Sequence, residues 1–330
     1  LITVLFVCIL SFHDTLVSLP FALYSTFVIE QRHGFNKTTL LLFFRDKILG
    51  LLLGFGIGMP MLGAVVWIVR WGGPHFYFYV WIFLCFMSAV FMLLYPTLIA
   101  PLFNKYTKLE SGPVYSAIEE MAKTVSFPLT QIFVVDGSTR SAHSNAYFYG
   151  FFKSKRIVLF DTLLNQVELP ELLAILGHEI GHWKLWHTIQ GFLISQMYVF
   201  SLFLAFSWSQ NTPELFHAFG FAYTAPPVLV GLSLFTSTFW SPVDKLLSLL
   251  LNANSRTNEF AADRFSCDMG MSKPLASGLV KISIENLGNM VPDSLYSLYH
   301  FSHPPLVERL SAIENYSEEK EKDKDKKKTE

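Results

Sequence analysis

The residues best suited to chemistry are two histidines and a glutamate in the stretch 170–187, which reads PELLAILGHEIGHWKLWH. Its apolar residues recur at helical spacing, so His178 and His182 lie one turn apart on one face of a predicted helix. Two imidazoles at this spacing can bind one zinc ion, while Glu179 lies within reach of the attacking water. This HExxH pattern predicts a zinc hydrolase site.

A catalytic zinc site usually takes three protein ligands, so a third ligand has to come from elsewhere in the chain. The metzincin pattern does not apply, because Leu185 and Thr188 stand where it needs glycine and histidine, and His187 is one position away. The stretch 258–263, NEFAAD, offers Glu259 on a second predicted helix. The prediction is therefore a gluzincin-type site with Glu259 as the third ligand.

Three further residues belong to this hypothesis. Asp263 follows Glu259 by one helical turn, which suits it to orient a ligand histidine through the second ring nitrogen. Glu285 is a reserve candidate for the third ligand, and His303 would give an all-histidine site. The alternative for Glu259 and Asp263 is a solvated helix face that holds no metal.

The composition places these residues in a membrane protein. Of the 330 residues, 52% are hydrophobic and 15% are charged, and the mean hydropathy is +0.38. A net charge of -1 gives no electrostatic reason to expect a nucleic-acid partner. The three cysteines form neither a CxxC pair nor a disulfide framework.

Five apolar segments are predicted to cross the membrane. The first opens the chain with LITVLFVCIL and is expected to be the remainder of a longer membrane helix, because no basic region precedes it. The other four segments are 48–70, 76–100, 188–208 and 227–251. The last of these contains Pro242, Asp244 and Lys245, which predict a kink, a shortened span or a water-filled environment.

The basic residues predict the orientation of these spans. The connections 30–47, 103–187 and 252–330 carry four, eight and eleven Lys and Arg residues, whereas 71–75 and 209–226 carry none. The positive-inside rule therefore puts the three basic connections, with HExxH and NEFAAD, in the cytosol. The predicted organisation is membrane helices at 1–102 and 188–251, catalytic regions at 103–187 and 252–316, and a disordered charged tail at 317–330.

Local patterns predict the elements around the zinc helix. Apolar spacing favours a helix at 113–125, and β-branched and aromatic residues favour short strands at 132–135, 146–149 and 156–160. An exposed edge strand beside a zinc helix can hold a peptide backbone by β-augmentation, and residues 145–147 are the candidate edge. His143 is predicted to be an ordinary surface or core histidine.

Three other stretches strengthen a resemblance to one known family. They are LPFALYSTFVIEQRHGFN at 19–36, HSNAYFYGFFKSKRIVLFDTLL at 143–164 and SHPPLVERL at 302–310. Together with HEIGH and NEFAAD, they are similar to the type I CAAX prenyl endopeptidases, membrane zinc proteases that trim prenylated proteins and, in animals, mature prelamin A. The resemblance extends from about residue 15 to residue 315.

The resemblance implies a fold, a substrate and further site residues. The implied fold is an α-helical multi-pass membrane protein with a gluzincin-type protease domain, a small β-sheet and a helical chamber. The implied activity uses one Zn2+ per chain to remove the last three residues of prenylated CAAX proteins, in some members with a second upstream cleavage. Asn145 is then expected to hydrogen-bond the substrate backbone, and His303 to donate to the oxyanion. For Arg309 two roles stay open, pairing with Asp263 or binding a substrate carboxylate.

The final residues KKTE resemble a cytosolic dilysine retrieval signal, with a solubilising tail as the alternative. The predicted location is therefore the endoplasmic reticulum membrane, extending to the inner nuclear membrane, among membrane lipids and prenylated proteins. This orientation predicts that the sequons at Asn36 and Asn315 stay unglycosylated. Two other functions remain open, a quality-control membrane protease and an inactive membrane scaffold, although the intact general base Glu179 argues against the scaffold.

Overall fold

The computed structural model describes residues 2–150, 154–210, 212, 214–221 and 226–329. The chain divides into two compact units. The first unit contains Leu1–Thr97 and Gly191–Leu246, and the second contains Leu98–Gln190 and Leu247–Glu330. All residues of the predicted catalytic site belong to the second unit.

The described chain is mostly helical. The helices are α1 (Ile2–Tyr24), α2 (Leu40–Leu53), α3 (Met59–Trp71), α4 (Phe76–Leu94), α5 (Ala100–Phe103), α6 (Pro113–Thr124), α7 (Asp161–Gln166), α8 (Leu169–Lys184), α9 (His187–Gln210), α10 (Glu214–His217), α11 (Val228–Phe235), α12 (Ser241–Asp268), α13 (Ser272–Glu285), α14 (Ser294–His300) and α15 (Leu306–Thr329). The strands are β1 (Tyr106–Lys108), β2 (Leu129–Val135), β3 (Ala146–Tyr149) and β4 (Lys155–Phe160).

Four continuous helical stretches are long and apolar enough to cross a membrane: Leu5–Glu30, Leu40–Trp71, Gly73–Phe103 and His187–Gln210. They correspond to the first four predicted spans. The second begins earlier than predicted, because the Thr39 side chain accepts a hydrogen bond from the Leu42 backbone and caps α2. Arg45, Asp46 and Lys47 therefore lie in a helix and not in a connection.

The fifth predicted span is helical but is not a regular apolar span. A π-helical segment at Thr236–Trp240 joins α11 to α12, and α12 continues to Asp268. The Tyr198 hydroxyl donates to Asp244 at 2.7 Å, so this acidic group has a polar partner within the first unit. Among the described residues, this segment does not reach the hydropathy of the other four, because Asp244 and Lys245 interrupt it.

A four-stranded sheet in the second unit has the strand order β1-β2-β4-β3. The β2–β4 pair is parallel, and the pairs at both edges are antiparallel. Strand β1 was not predicted, since three residues are too few to give a pattern. The predicted edge strand β3 is indeed at an edge and lies against α8. Buried Ile118, Ile157 and Leu176 join α6, the sheet and α8 in one apolar core.

The charged tail is helical, so the prediction of disorder at 317–330 is wrong for its described residues. Helix α15 continues without a break to Thr329. The Tyr316 hydroxyl donates to Asp268 at 2.9 Å, and Lys320 also binds this carboxylate. An i,i+4 pair between Glu318 and Lys322 adds local support to the helix. The KKTE side chains lie largely outside the described residues, so the retrieval signal stays a prediction.

Candidate metal centre

Helix α8 positions both histidines of the HExxH pattern. A capping box starts the helix, in which the Glu168 backbone N–H donates to the Glu171 carboxylate at 2.8 Å. Glu171 is buried and also accepts hydrogen bonds from Ser277 and Lys281 of α13, at 2.6 and 2.8 Å. The start of α8 is therefore fixed to a neighbouring helix, which reduces its freedom to move the histidines.

A glycine between the two histidines allows α12 to approach α8 closely. A Cβ atom added at Gly181 would lie 3.1 Å from Phe265 Cβ and 3.2 Å from the backbone of Ala262. The hydroxyl of Ser266 on α12 donates to the Ala174 carbonyl on α8 at 2.8 Å. The two helices thus meet backbone to backbone at the turn that carries the candidate ligands.

We expect Gly181→Ala to shift α12 away from α8 by a few tenths of an ångström and to lower stability by about 1–3 kcal/mol, because the added methyl would lie only 3.1–3.2 Å from Phe265 Cβ and the Ala262 backbone on a packed helix. Metal affinity is expected to fall with stability, since Glu259 and His182 lie on the two separated helices. Thermal unfolding and bound-zinc measurements check this. The matched control is Gly191→Ala, a helical position with nothing within 4 Å of the added atom in the described chain, and equal losses in both variants would contradict the prediction.

The ligand atoms of His178, His182 and Glu259 all lie within 4.8 Å of one another. The Nε2 atom of His182 is 3.2 Å from His178 Nε2 and 3.3 Å from Glu259 Oε1. Glu259 is 5% exposed, and its Oε2 atom is buried without a hydrogen-bond partner among the described residues. The nearest basic groups, His178 Nε2 at 3.5 Å and Arg309 Nη1 at 3.8 Å, approach this oxygen without hydrogen-bonding it, so a closer cation would satisfy it better. The donor set and this oxygen therefore fit a divalent metal with the ligand preferences of zinc.

The two alternative ligands are placed differently. Glu285 is exposed at the end of α13 and is not part of this group. The His303 side chain is 68% exposed, and its Nε2 atom is 3.4 Å from Glu259 Oε1. His303 therefore lies at the open side of the cluster, beside the third candidate ligand. Its Nδ1 atom is 3.1 Å from the Ser302 hydroxyl, which helps to orient the ring.

Asp263 lies behind His178. This aspartate is 1% exposed, and its Oδ1 atom is 2.8 Å from His178 Nδ1. Arg309 donates to both oxygens of the same carboxylate, from Nε at 2.9 Å and from Nη2 at 2.6 Å. The fork geometry is that of a strong bidentate pair. Of the two roles left open for Arg309, the structure shows pairing with Asp263.

Ion pairing controls the charge states of these buried groups. Burial raises the pKa values of Glu259 and Asp263, but hydrogen bonds from basic neighbours outweigh burial and hold both values below their usual range. For Glu259 these neighbours are His178 and His182, and for Asp263 they are His178 and Arg309. Burial lowers the pKa of His178, and the two acidic groups raise it to about 9. His178 must therefore release a proton before its Nε2 atom can bind a metal.

Glu179 follows His178 on α8 and has a different environment. Burial raises the pKa of its carboxyl group, and the nearby charges of His178 and His182 oppose this rise only in part. A carboxylate with a raised pKa is better able to exchange a proton near neutral pH. Glu179 is thus set apart from Glu259, whose pKa is lowered.

Asn145 precedes the edge strand β3. Its side-chain oxygen accepts a hydrogen bond from the Ala146 N–H at 2.8 Å, and its carbonyl accepts one from Phe160 N–H at 3.1 Å. Tyr147 pairs with Val158 of β4, so the opposite edge of β3 has no strand partner among the described residues. The structure therefore brings an open strand edge and α8 together.

One residue of the centre was not predicted. His187 Nδ1 lies 2.9 Å from His182 Nδ1, although the sequence marks His187 only as a histidine at the wrong spacing for a metzincin. The sequence does offer one signal, because His187 lies only five residues after the candidate ligand His182. That spacing does not predict the contact, since it does not determine how the chain turns between the two helices.

Comparison with known proteins identifies the family. The model of peptidase family M48 matches residues 108–317, which include the whole histidine and glutamate cluster. The chain belongs to peptidase family M48. A second model, for the CAAX prenyl protease N-terminal region with five membrane helices, matches residues 1–105. The M48 chain is thus a multi-pass membrane metalloendopeptidase, and both the predicted fold class and the predicted enzyme class are confirmed.

Relatives of this M48 chain extend along nearly all of it. The CAAX prenyl protease 1 homolog of Oryza sativa subsp. japonica is 50% identical, over 93% of this chain and 72% of the relative. The CAAX prenyl protease 1 homolog of Homo sapiens is 42% identical, over 94% of this chain and 73% of the relative. The crystal structure of S. mikatae Ste24p matches with a TM-score of 0.90 at 39% identity, over 94% of this chain and 75% of that chain. The resemblance to the CAAX prenyl endopeptidases is confirmed.

Proposed function

We propose that this M48 peptidase is a zinc-dependent endopeptidase that removes the last three residues of prenylated CAAX proteins. The observation that carries the proposal is the cluster of ligand atoms of His178, His182 and Glu259 within 4.8 Å of one another, with Glu179 next to His178 on α8. The relatives named CAAX prenyl protease 1 support the substrate class, because they align with nearly the whole chain. The proposed ligands of the single zinc are the two histidines and Glu259.

Each residue near the cluster has a role in peptide hydrolysis. Zinc, when bound to the three ligands, supplies a Lewis acid for the scissile carbonyl and lowers the pKa of water. Glu179 takes a proton from the attacking water and delivers it to the leaving amine. His303 is exposed, held by Ser302 and close to Glu259, so it is placed to donate a hydrogen bond to the oxyanion.

The edge strand β3 supplies the proposed peptide-binding surface. A substrate in extended conformation can add to the open edge of β3 and bring its backbone alongside α8. Asn145 uses its side-chain oxygen for the Ala146 N–H, and its Nδ2 group has no partner among the described residues. That amide N–H is therefore the side-chain donor that Asn145 offers to a substrate carbonyl.

The prenyl group is expected to contribute affinity through the bilayer. The four apolar helices hold the chain in the membrane, where a lipidated substrate already partitions. Burial of only a few prenyl methylene groups, at about 0.8 kcal/mol each, would favour the lipidated peptide by at least about tenfold in kcat/KM.

The test compares a farnesylated CAAX peptide with its unmodified twin, using the full-length protein in liposomes. Faster cleavage of the farnesylated peptide is expected. Equal cleavage of both peptides would contradict the prenyl specificity and favour a quality-control protease. No cleavage of either peptide by zinc-loaded protein would overturn the proposed reaction.

For location, we propose the endoplasmic reticulum membrane, extending to the inner nuclear membrane, with the active site and the C-terminus in the cytosol. The distribution of Lys and Arg supports this orientation. We predict that Asn315, exposed on α15 within an NYS sequon, stays unglycosylated in cells that glycosylate a lumenal control protein. The measurement is a gel shift after endoglycosidase treatment, and a shift mapped to Asn315 would place this end of the chain in the lumen.

Asn36 is a poor reporter for the same question. It is 4% exposed, and its Nδ2 group donates to Gln31 Oε1 at 3.1 Å. A glycan at Asn36 would displace this contact in the folded chain. Of the two sequons, Asn315 is therefore the better reporter of orientation.

A further inference from the structure

We infer that the first turn of α9, through His187 and Gln190, is a positioning element that orients the metal ligand His182 and holds the turn of α12 that carries Glu259. This inference rests on the zinc site proposed above. It concerns residues that do not themselves belong to the ligand group. The two residues lie three apart on α9, so they share one face of its first turn.

The hydrogen bond between the two histidines defines the tautomer of His182. If Nε2 of His182 binds the metal through its lone pair, the ring proton is on Nδ1. That proton can then be donated to His187 Nδ1, which lies 2.9 Å away. His187 accepts through Nδ1 and keeps its own proton on Nε2. The bond therefore fixes the ring rotation of His182 and leaves its Nε2 atom toward Glu259, 3.3 Å away.

The turn before α9 is shaped to make this bond. Helix α8 ends at Lys184, and the Trp186 N–H donates to the Trp183 carbonyl at 3.1 Å. Trp186 then adopts φ 64°, in the left-handed region that a bulky side chain rarely occupies. His187 follows at once as the first residue of α9. Strained backbone of this kind persists where surrounding structure over-determines it, and here it directs His187 back to His182.

Gln190 connects the same turn to α12. Its Nε2 group donates to Asn254 Oδ1 at 3.1 Å, and its Oε1 atom accepts from Asn258 Nδ2 at 2.8 Å. Asn254 and Asn258 are one helical turn apart on α12, so one amide side chain bridges two turns. Glu259 follows Asn258 directly. The Gln190 contacts therefore hold α12 at the place where it presents the third ligand.

Each candidate histidine ligand thus has its own partner at Nδ1. The Nδ1 atom of His178 is hydrogen-bonded to the charged carboxylate of Asp263 at 2.8 Å, and Asp263 is paired with Arg309. The Nδ1 atom of His182 is hydrogen-bonded to Nδ1 of the neutral His187 ring at 2.9 Å. Partners of this kind fix the orientation of a metal-binding histidine, and their loss typically weakens metal affinity by about 10–100-fold.

The test measures zinc affinity of the full-length protein by competition with a chromophoric chelator, so that it does not depend on activity. His187→Phe keeps a ring but removes the acceptor, and we expect its zinc Kd to rise by about 10–100-fold. His187→Gln, which restores an acceptor, is expected to recover most of the loss. The control His33→Phe replaces an exposed histidine of the first unit and should bind zinc as the wild type does.

Two further readouts separate positioning from general damage. The visible absorption of the cobalt-substituted protein is expected to change in His187→Phe and to return in His187→Gln, because it reports ligand geometry. Gln190→Leu is also expected to weaken zinc binding, because it removes the hydrogen bonds to Asn254 and Asn258 that hold α12 next to Glu259. Metal-free His187→Phe is expected to unfold at the wild-type temperature, which would exclude misfolding as the cause.

The failures of the two proposals are distinguishable. If the wild type binds zinc and cleaves the farnesylated peptide while His187→Phe matches it in zinc Kd and cobalt spectrum, this inference alone is wrong. The inference is also wrong if His187→Gln binds zinc no better than His187→Phe. If the wild type binds no zinc, the proposed function falls and the positioning element falls with it.

Discussion

Glu179→Gln is expected to lower kcat for a farnesylated CAAX peptide by about 10²–10⁴-fold while the protein keeps its zinc. Glutamine preserves the size of the side chain but cannot take a proton from the attacking water. The three candidate ligands, His178, His182 and Glu259, are unchanged by this substitution. Single-turnover cleavage and zinc content, measured on the same sample, check both halves of the prediction.

The control for this variant is Glu314→Gln, an exposed glutamate on α15 that should leave turnover and zinc unchanged. Cleavage by Glu179→Gln at the wild-type rate would show that another group acts as the base. Loss of zinc from Glu179→Gln would show that Glu179 is a ligand or a structural support, and the assigned role would be wrong.

The second large effect is expected for Glu259→Ala. This change removes one of three candidate ligands from a buried position, where the carboxylate is 5% exposed and ionised because its pKa is lowered. Zinc sites gain about 10 kcal/mol or more from all their ligands, so losing one should weaken binding on the order of 10²–10³-fold. Zinc content after dialysis against a buffered metal concentration measures the loss, and turnover should disappear with the metal.

Glu285→Ala and His303→Ala are the comparisons that make this result specific. Both residues are alternative ligands by sequence, but both are exposed and neither belongs to the converging group. Both variants are therefore expected to keep zinc. His303→Ala is expected to lose turnover, because it lacks the side chain that donates a hydrogen bond to the oxyanion. The gluzincin-type assignment fails if Glu259→Ala retains one zinc or if His303→Ala loses it.

The sequence predicts the centre well where helical spacing determines it. His178 and His182 are one turn apart on α8, and Glu259 and Asp263 are one turn apart on α12, so each pair shares a face once its helix forms. In these cases, local periodicity is enough to place side chains on a common face. A strand at 146–149 was also predicted, from its aromatic residues, and its edge position was proposed because an exposed edge can bind a peptide backbone.

Features that depend on tertiary contacts or unusual backbone were not predictable. The bond between His187 and His182 requires Trp186 in the left-handed region, and sequence gives no reason to expect tryptophan there. The pairing of Arg309 with Asp263 joins residues 46 positions apart, so spacing could not choose between its two roles. The helix of the charged tail contacts α12 through Tyr316 and Lys320, which both bind Asp268, and composition does not reveal such contacts.

We propose that the cluster of His178, His182, Glu259 and Glu179 cuts a prenylated peptide at one internal bond. Mass spectrometry of the products from a farnesylated CAAX peptide, incubated with zinc-loaded protein, identifies the bond that is cut. We expect two products, an intact tripeptide and a farnesylated cysteine that ends in a new free carboxylate, formed at least about 100-fold more slowly by Glu179→Gln. Release of single residues one after another, or the same tripeptide formed by Glu179→Gln at the wild-type rate, would show that the assignment is wrong.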